Sequence, residues 1–586
     1  MKTERTTHTY SIHSTCSWGR RARSKLTYPN SRYVTYASDA LHRLDTVTDD
    51  DSTVLTDYDY KGGYLQDRKL NADALRLTFK NSTDLDGYDA FGRIGWMRQY
   101  DVSGPTDVVK LGYARNYVGA PNYQEDLVTT SLSELYTYDT LHRLTNFKRG
   151  TLNGNKDGIT GTVAREQSWT LQHVGNWTDV TSTVNGGTAD TPYDGREHDT
   201  VNQITHITPQ GGSRFAVTSD SAGNLSVLPD RTDLTKADRY TYDFRNRLIK
   251  AEHSANYDQQ TPTWTTTVDY LVDGLNRRVK KDLPGAGVDV IFVYDGWRCI
   301  EERENGQAVR QFVFGGLYLD EVLLFDKDTD ADGDCTDAGG SSRYLYATND
   351  NYNVVAVTDG SGTLVERIQY DPYGQPTCTR TSDNDVTAAS HFGNPFLFQG
   401  QRYCPETGLY YFKNRDYYPT LGRFLQRDPI GYKDGKSLYF RKAVNVSRDP
   451  LGLQTAEQEY GSSLGGAMGS QLAYGGYVPP SRIDDAIRRV AESDPRVQNG
   501  DLNYDEIRDA ALMRYYQLKH PVESEFAQCV LDCMGLSTIA SQFGQHQVGK
   551  ALAKGCEEIA GKTFSQFGNA GTALQLAYCW KICWGR

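Results

Sequence analysis

The 586 residues predict a mostly β chain that ends in a small all-α domain, and three features say so: composition, one recurring phrase, and a change of pattern after Leu453. Tyrosine outnumbers phenylalanine 40 to 19, glycine reaches 55 and methionine only 5. Such a mixture suits short twisted strands, with aromatic residues on the pleat and glycine at the turns. One compact core does not extend over so long a chain, whereas repeats do, since each unit buries its face on its neighbours.

The recurring phrase is Tyr-Asp-x-x-Gly-Arg-Leu. Its cleanest copy is Tyr88-Asp89-Ala90-Phe91-Gly92-Arg93-Ile94, and two more begin at Tyr138 and Tyr242 with His142 or Asn246 in place of Gly. A fourth, Asp273-Gly274-Leu275-Asn276-Arg277-Arg278-Val279, lacks the leading Tyr, and looser echoes start at Tyr294 and Tyr370. Each reads as strand, turn, strand: Asp accepts local backbone hydrogen bonds, Gly or Asn tolerates positive φ, and Arg-Leu opens the returning strand. Strand-like 354–358 followed by Asp359-Gly360 adds a hairpin signal.

Charge and hydropathy narrow the function. A net charge of -12 argues against nucleic acid as the main partner. No apolar run is long enough to span a membrane. The N-terminal residues are polar and charged, without the apolar core of a secretory signal.

One acidic interruption, Asp328, Asp330, Asp332 and Asp334 with Gly333 at the sixth position, matches the first half of a calcium loop. The twelfth position is Gly339 rather than Glu, and Asp337 is a partial substitute. The alternative is an acidic hairpin tip between strands at 321–325 and 343–347. Any calcium there is expected to be weak and structural, and no other cofactor is indicated.

Residues 408–453 carry two Asp-Pro-x-Gly units, at Asp428 and Asp449, behind a dense aromatic-arginine segment. This block resembles the core segment of the bacterial Rhs and YD-repeat proteins and of the related toxin-complex C subunits. The resemblance covers about residues 30 to 453 and implies a curled YD-repeat β-shell. It divides the chain into an irregular 1–29, repeats over 30–400, a core block over 401–453, a linker over 454–480 and a variable helical domain over 481–586.

The same resemblance implies an intramolecular aspartic peptidase that cuts between Leu453 and Gln454. Such a cut needs one carboxylate to activate water and a second, protonated one to polarise the amide; two carboxyl groups held close separate into those roles. Asp428 and Asp449 are the pair, and Arg415 matches the family's arginine. Two departures bear on it: Ala443-Val444 stands where the family has Asn-Pro, and the interval between the aspartates is about two residues shorter than usual. The structural alternative is that Asp-Pro-x-Gly is simply a good type I turn, with Arg415 and Arg423 stacked on neighbouring tyrosines.

Beyond the linker, Ser481 caps a helix with apolar face Ile483, Ile487 and Val490. Four further helical patterns follow, near 505–518, 525–534, 547–560 and 571–582. Half of the ten cysteines lie here; Cys529 and Cys533, and Cys579 and Cys583, are spaced i, i+4 and share a helix face, with Cys556 between. Two disulfides, a four-thiolate zinc site and an apolar stripe are all compatible with that spacing. Residues 454–586 hold 12 Lys+Arg against 15 Asp+Glu, unlike a basic nuclease, and His520 and His546 sit in no catalytic pattern.

By resemblance, the expected function is a polymorphic-toxin-like carrier whose shell encloses the C-terminal domain as cargo. An upstream shell segment, an immunity protein and secretion machinery are the partners that reading implies, with a secreted or cell-surface destination. The competing expectation is a non-catalytic surface protein whose aromatic strands bind glycans or neighbouring cells. A further expectation concerns the first strand, whose free edge invites association with another chain.

Overall fold

The computed structural model describes residues 13–16, 23–80, 87–189, 194–433, 437–441 and 448–453. Apart from the turn tip Ala90–Arg93, they form one compact unit. The linker, the C-terminal helices and the cysteines Cys529, Cys533, Cys556, Cys579 and Cys583 lie outside the described residues.

Nearly every strand is antiparallel to the strand before it. An 18-stranded sheet runs from His13–Cys16 to Phe215–Ala216, a 15-stranded sheet from Thr218–Ser219 to Val386–Thr387, and four short strands between Arg402 and Phe424 form a third. Two strands, His13–Cys16 and Arg23–Thr27, occupy the stretch expected to be irregular. The reason is local: Leu26 supplies a buried anchor, and the strand pairs with Tyr33–Ser38. Among the described residues, His13–Cys16 pairs on one side only.

The repeat phrase is a clamp. In the copy at Asp139, Oδ1 accepts the N–H groups of Leu141 and Arg143, each at 2.9 Å, and His142 takes the left-handed conformation (φ 58°). Arg143 returns Nε to Asp139 Oδ2 at 2.7 Å and extends Nη1 to the carbonyl of Gln172 in the neighbouring hairpin at 2.6 Å. The copies at Asp243 and Asp273 repeat this, their arginines reaching the carbonyls of Asp273 and Gly296. The leading tyrosine ties strands together: Tyr138 Oη donates to Pro121 O at 2.8 Å and Tyr242 Oη to Leu225 O at 2.7 Å. The closing leucine is core, with Leu144 and Leu248 buried. Each letter of the phrase therefore has a separate job. The cleanest copy in sequence closes with a single bridge, Tyr88 to Ile94.

The same clamp closes at Asp39, whose partner is Arg43, with His42 in the left-handed conformation. Burial raises the carboxyl groups of Asp39, Asp139 and Asp243, but the hydrogen bonds from their own turns and arginines outweigh it and hold them below the usual range.

The two large sheets share one apolar core. Val47, Leu55 and Tyr58 of the first pack in the same cluster as Phe312, Leu324 and Tyr346 of the second. Truncating a fully buried ring such as Phe312 to Ala costs about 3–5 kcal/mol. Buried polar contacts cross the same seam: Arg32 bonds Asp49, Gln311 and Asp326, Arg68 pairs with Glu321, and Gln99 donates to Thr348 O. A second cluster, including Ile207, Leu228 and Leu248, packs with Leu409, Leu421 and Leu425 of the core block. No helix among the described residues is long and apolar enough to cross a membrane.

Candidate active site

The core block is built around rings. Phe412, Tyr417 and Phe424 make edge contacts with centroids 5.5–5.6 Å apart, and Arg415 lies over the Phe424 face at 3.7 Å. The stacking partner of Arg415 is thus a phenylalanine; Arg423 does stack on a tyrosine, Tyr439, at 4.5 Å. Stacking fixes the guanidinium plane and leaves its edge for hydrogen bonds.

That edge brings Arg415, Asp428 and Asp449 together. Arg415 Nη2 lies 3.0 Å from Asp428 Oδ2 and 3.7 Å from Asp449 Oδ2, with all three side chains at most 6% exposed. Nε donates to the carbonyl of Gly452 at 2.7 Å and Nη1 to that of Leu438 at 3.3 Å. One buried cation therefore touches both carboxylates and the backbone immediately before Leu453.

The two Asp-Pro-x-Gly units adopt the repeat turn in reduced form. Asp428 Oδ1 accepts the N–H of Ile430, two residues on, at 3.0 Å. Asp449 Oδ1 accepts the N–H of Leu453, four residues on, at 2.9 Å. Gly431 and Gly452 occupy the left-handed fourth position, at φ 70° and 65°. Neither turn carries an arginine at its fifth position, where Tyr432 and Leu453 stand instead. Among the described residues, Asp449 Oδ2 has no hydrogen-bond partner.

Asn414, which the sequence reading passed over, holds the same segment. Its Nδ2 donates to Leu451 O at 2.9 Å and its backbone N–H to the same oxygen at 3.3 Å. Gly452 is required here: a Cβ would lie 2.6 Å from Phe412 O, on a backbone already at positive φ. A second buried polar group lies beside it, where Lys413 Nζ bridges Asp320 Oδ1 at 2.5 Å and Gln401 Oε1 at 2.8 Å. Burial lowers that ammonium, with Asp320 acting in the opposite direction.

Leu453 is the last described residue of the segment, and Gln454 lies outside the described residues, as do Ala443 and Val444. In the acidic loop, carboxylate oxygens of Asp328, Asp330 and Asp332 lie within 4.8 Å of one another. Asp334 does not join that group; its Oδ1 takes the N–H and hydroxyl of Thr336. Asp328 spends both oxygens on backbone N–H groups of its own loop, as an acidic hairpin tip does. Its flanking strands are Val322–Asp328 and Ser341–Thr348. Cys299, Cys335, Cys378 and Cys404 are buried free thiols.

Comparison with known proteins places this geometry in context. The model of the Teneurin YD-shell family matches residues 335–445. The tRNA3(Ser)-specific nuclease WapA of Bacillus spizizenii is 30% identical over 268 residues, 41% of this chain and 10% of the relative. Toxin protein Tse5 of Pseudomonas aeruginosa is 34% identical over 238 residues, 37% of this chain and 17% of the relative. The double-stranded DNA deaminase toxin A of Burkholderia cenocepacia is 29% identical, over 40% of this chain and 16% of its own length. The chain thus spans between a tenth and about a sixth of these relatives. Among solved structures, a chain of the Photorhabdus luminescens Tc holotoxin pore superposes with TM-score 0.55 at 16% identity, covering 76% of this chain and 21% of that one.

Proposed function

From the premise that the chain is an Rhs/YD-repeat protein, we propose that it is a toxin-type carrier whose shell holds the residues after Leu453 and frees them by self-cleavage. One observation carries the reading. A single buried guanidinium touches both carboxylates and the Gly452 carbonyl, one residue before the bond to be cut.

In this reading Asp428, the carboxylate nearer to Arg415, is the base. It takes a proton from water as the oxygen attacks the Leu453 carbonyl carbon. Asp449 supplies the proton that the Gln454 nitrogen receives as the C–N bond breaks. Water is consumed, Leu453 gains a carboxylate and Gln454 an amine. Arg415 and Asn414 keep the segment from moving between the steps, since about an ångström of misplacement costs about a hundredfold in rate.

The freed segment is the payload, and its destination is outside the producing cell. Relatives named as toxins, and one named as a tRNA-specific nuclease, support the carrier role. A rival reading as a contact surface draws on the exposed tips, where Phe244 and Tyr117 are 88% and 84% exposed.

Size exclusion followed by denaturing mass analysis tests the proposal. The expected result is one particle in native buffer that separates into two polypeptides, cut after Leu453, once unfolded. A single intact polypeptide under both conditions rejects self-cleavage and leaves the contact surface as the better reading.

A further inference from the structure

The site does not rest on the core block alone. The repeat turn Asp273–Arg277 packs against residues 411–416, and two contacts hold it there. Tyr411 Oη donates to Asn276 O at 2.6 Å, and Arg278 forms a buried ion pair with Asp416. Asp416 in turn exchanges two hydrogen bonds with Gln426, two residues before Asp428, each at 2.7 Å. One shell turn therefore buttresses both halves of the site.

Its asparagine belongs to a directional chain. Arg247, anchored on Asp243, points Nη1 at Asn276 Oδ1, 3.4 Å away. A guanidinium only donates, so Asn276 turns its oxygen to Arg247 and its Nδ2 toward Asn414. That Nδ2 donates to Asn414 Oδ1 at 3.1 Å, which in turn aims the Asn414 amide N–H at the Leu451 carbonyl, 2.9 Å away. Arginine at one end and a backbone carbonyl at the other leave each amide one way to face. Members of such a chain polarise one another in the same sense.

We propose that Asn276 is a positioning residue for the scissile segment, coupling the docking of two shell turns, at 243–247 and 273–277, to competence for self-cleavage. The kinetic consequence rests on the self-cleavage reading; the coupling to segment 449–453 does not. Cleavage then waits for the shell: until the turn at Asn276 seats, the Asn414 amide lacks its orientation.

Two substitutions at one position test it. Asn276→Asp keeps the size and the tolerance of the left-handed backbone (φ 66°), and still accepts from Arg247. Its second oxygen, however, faces Asn414 Oδ1, so Asn414 either meets oxygen with oxygen or flips and turns its own oxygen on Leu451. Asn276→Gly removes the side chain without adding that conflict and keeps the carbonyl that Tyr411 uses. Cleavage is expected to slow about a hundredfold in the Asp variant and about tenfold in the Gly variant, with melting temperatures close to the parent's.

The pH profile supplies a readout that mere structural damage does not move. Toward pH values near the ordinary Asp range of about 3.9 the new carboxyl gains a proton and becomes a donor. The ratio of the Asp to the Gly variant's rate then rises; a constant ratio across pH, or a parent-like rate in Asn276→Asp, overturns the inference. A parent that never cleaves rejects the self-cleavage reading instead. In that event hydrogen exchange of peptides covering 449–453, measured in an Asp428→Asn background, decides the coupling. Faster exchange in Asn276→Asp supports it, and unchanged exchange rejects it.

Discussion

The turn at Asp139 and the turn at Asp449 share a backbone and differ in one supply. Both place a carboxylate over the N–H four residues on, and both set the fourth residue in the left-handed region. Asp139 has its own arginine at the fifth position, and that pair is about a fifth exposed. Asp449 has Leu453 there, lies buried, and among the described residues forms its ion pair with Arg415, which it shares with Asp428. Losing the local arginine turns a self-satisfied clamp into an undersupplied carboxylate. The core block differs from a repeat by that subtraction, with one remote cation set between two such turns.

Removing the shared cation should break this comparison most severely. Arg415→Met removes the cation that two buried carboxylates share, a change of about 3–5 kcal/mol. Denaturant unfolding is expected to show a loss of that size, together with loss of any cleavage. Loss of cleavage at unchanged stability would mean that the pair does not depend on Arg415 for its burial.

A second effect belongs to buried cations outside the Asp428–Asp449 site. Burial, then Arg423 and Arg196, pushes His198 down to about 3. The unfolded chain, with an ordinary value of about 6.5, binds more protons over that window, so stability falls as pH drops from about 6.5 toward 3. The expected slope is about 1.4 kcal/mol per pH unit, and His198→Gln should remove that contribution. The repeat carboxylates act lower: Asp39, Asp139 and Asp243 lend stability above their unfolded value of about 3.9 that is lost as pH falls through their depressed folded values.

The glycines separate shared backbone from differing surroundings. Among the described residues Gly431→Ala meets nothing within 4 Å, so its expected cost is that of the left-handed conformation, about 1 kcal/mol. Gly452→Ala adds a Cβ 2.6 Å from Phe412 O and should cost about 1–3 kcal/mol in all. Melting curves of the two variants compare them directly, and equal shifts would argue against tight packing at Gly452.

Arg143→Ala, in the partly exposed clamp, should be mildest, at about 0.2–1 kcal/mol. Chemical denaturation of that variant beside Arg415→Met gives the contrast in one experiment.

What the sequence made legible follows from range. The repeat turn is local: Asp, a left-handed residue and Arg lie within five positions, so their spacing alone predicts the clamp. Resemblance supplied Arg415, Asp428 and Asp449, and the geometry brings those three together. The link between Asn276 and Asn414 was hidden because they lie 138 residues apart: Asn276 reads only as the left-handed residue of its repeat turn, and Asn414 follows no local pattern. Arg68 and Glu321, 253 residues apart, were hidden for the same reason. The acidic loop was half legible: its spacing gathers Asp328, Asp330 and Asp332, but Thr336 draws Asp334 away.

The central claim is that the two turns deprived of their arginines act together as an acid and a base. Intact mass of freshly purified parent beside Asp428→Asn, both held near neutral pH, tests it most directly. Fragments ending at Leu453 in the parent, and only full-length chains in the variant, are the expected result. Full-length chains in both, or the same fragments in both, would contradict it.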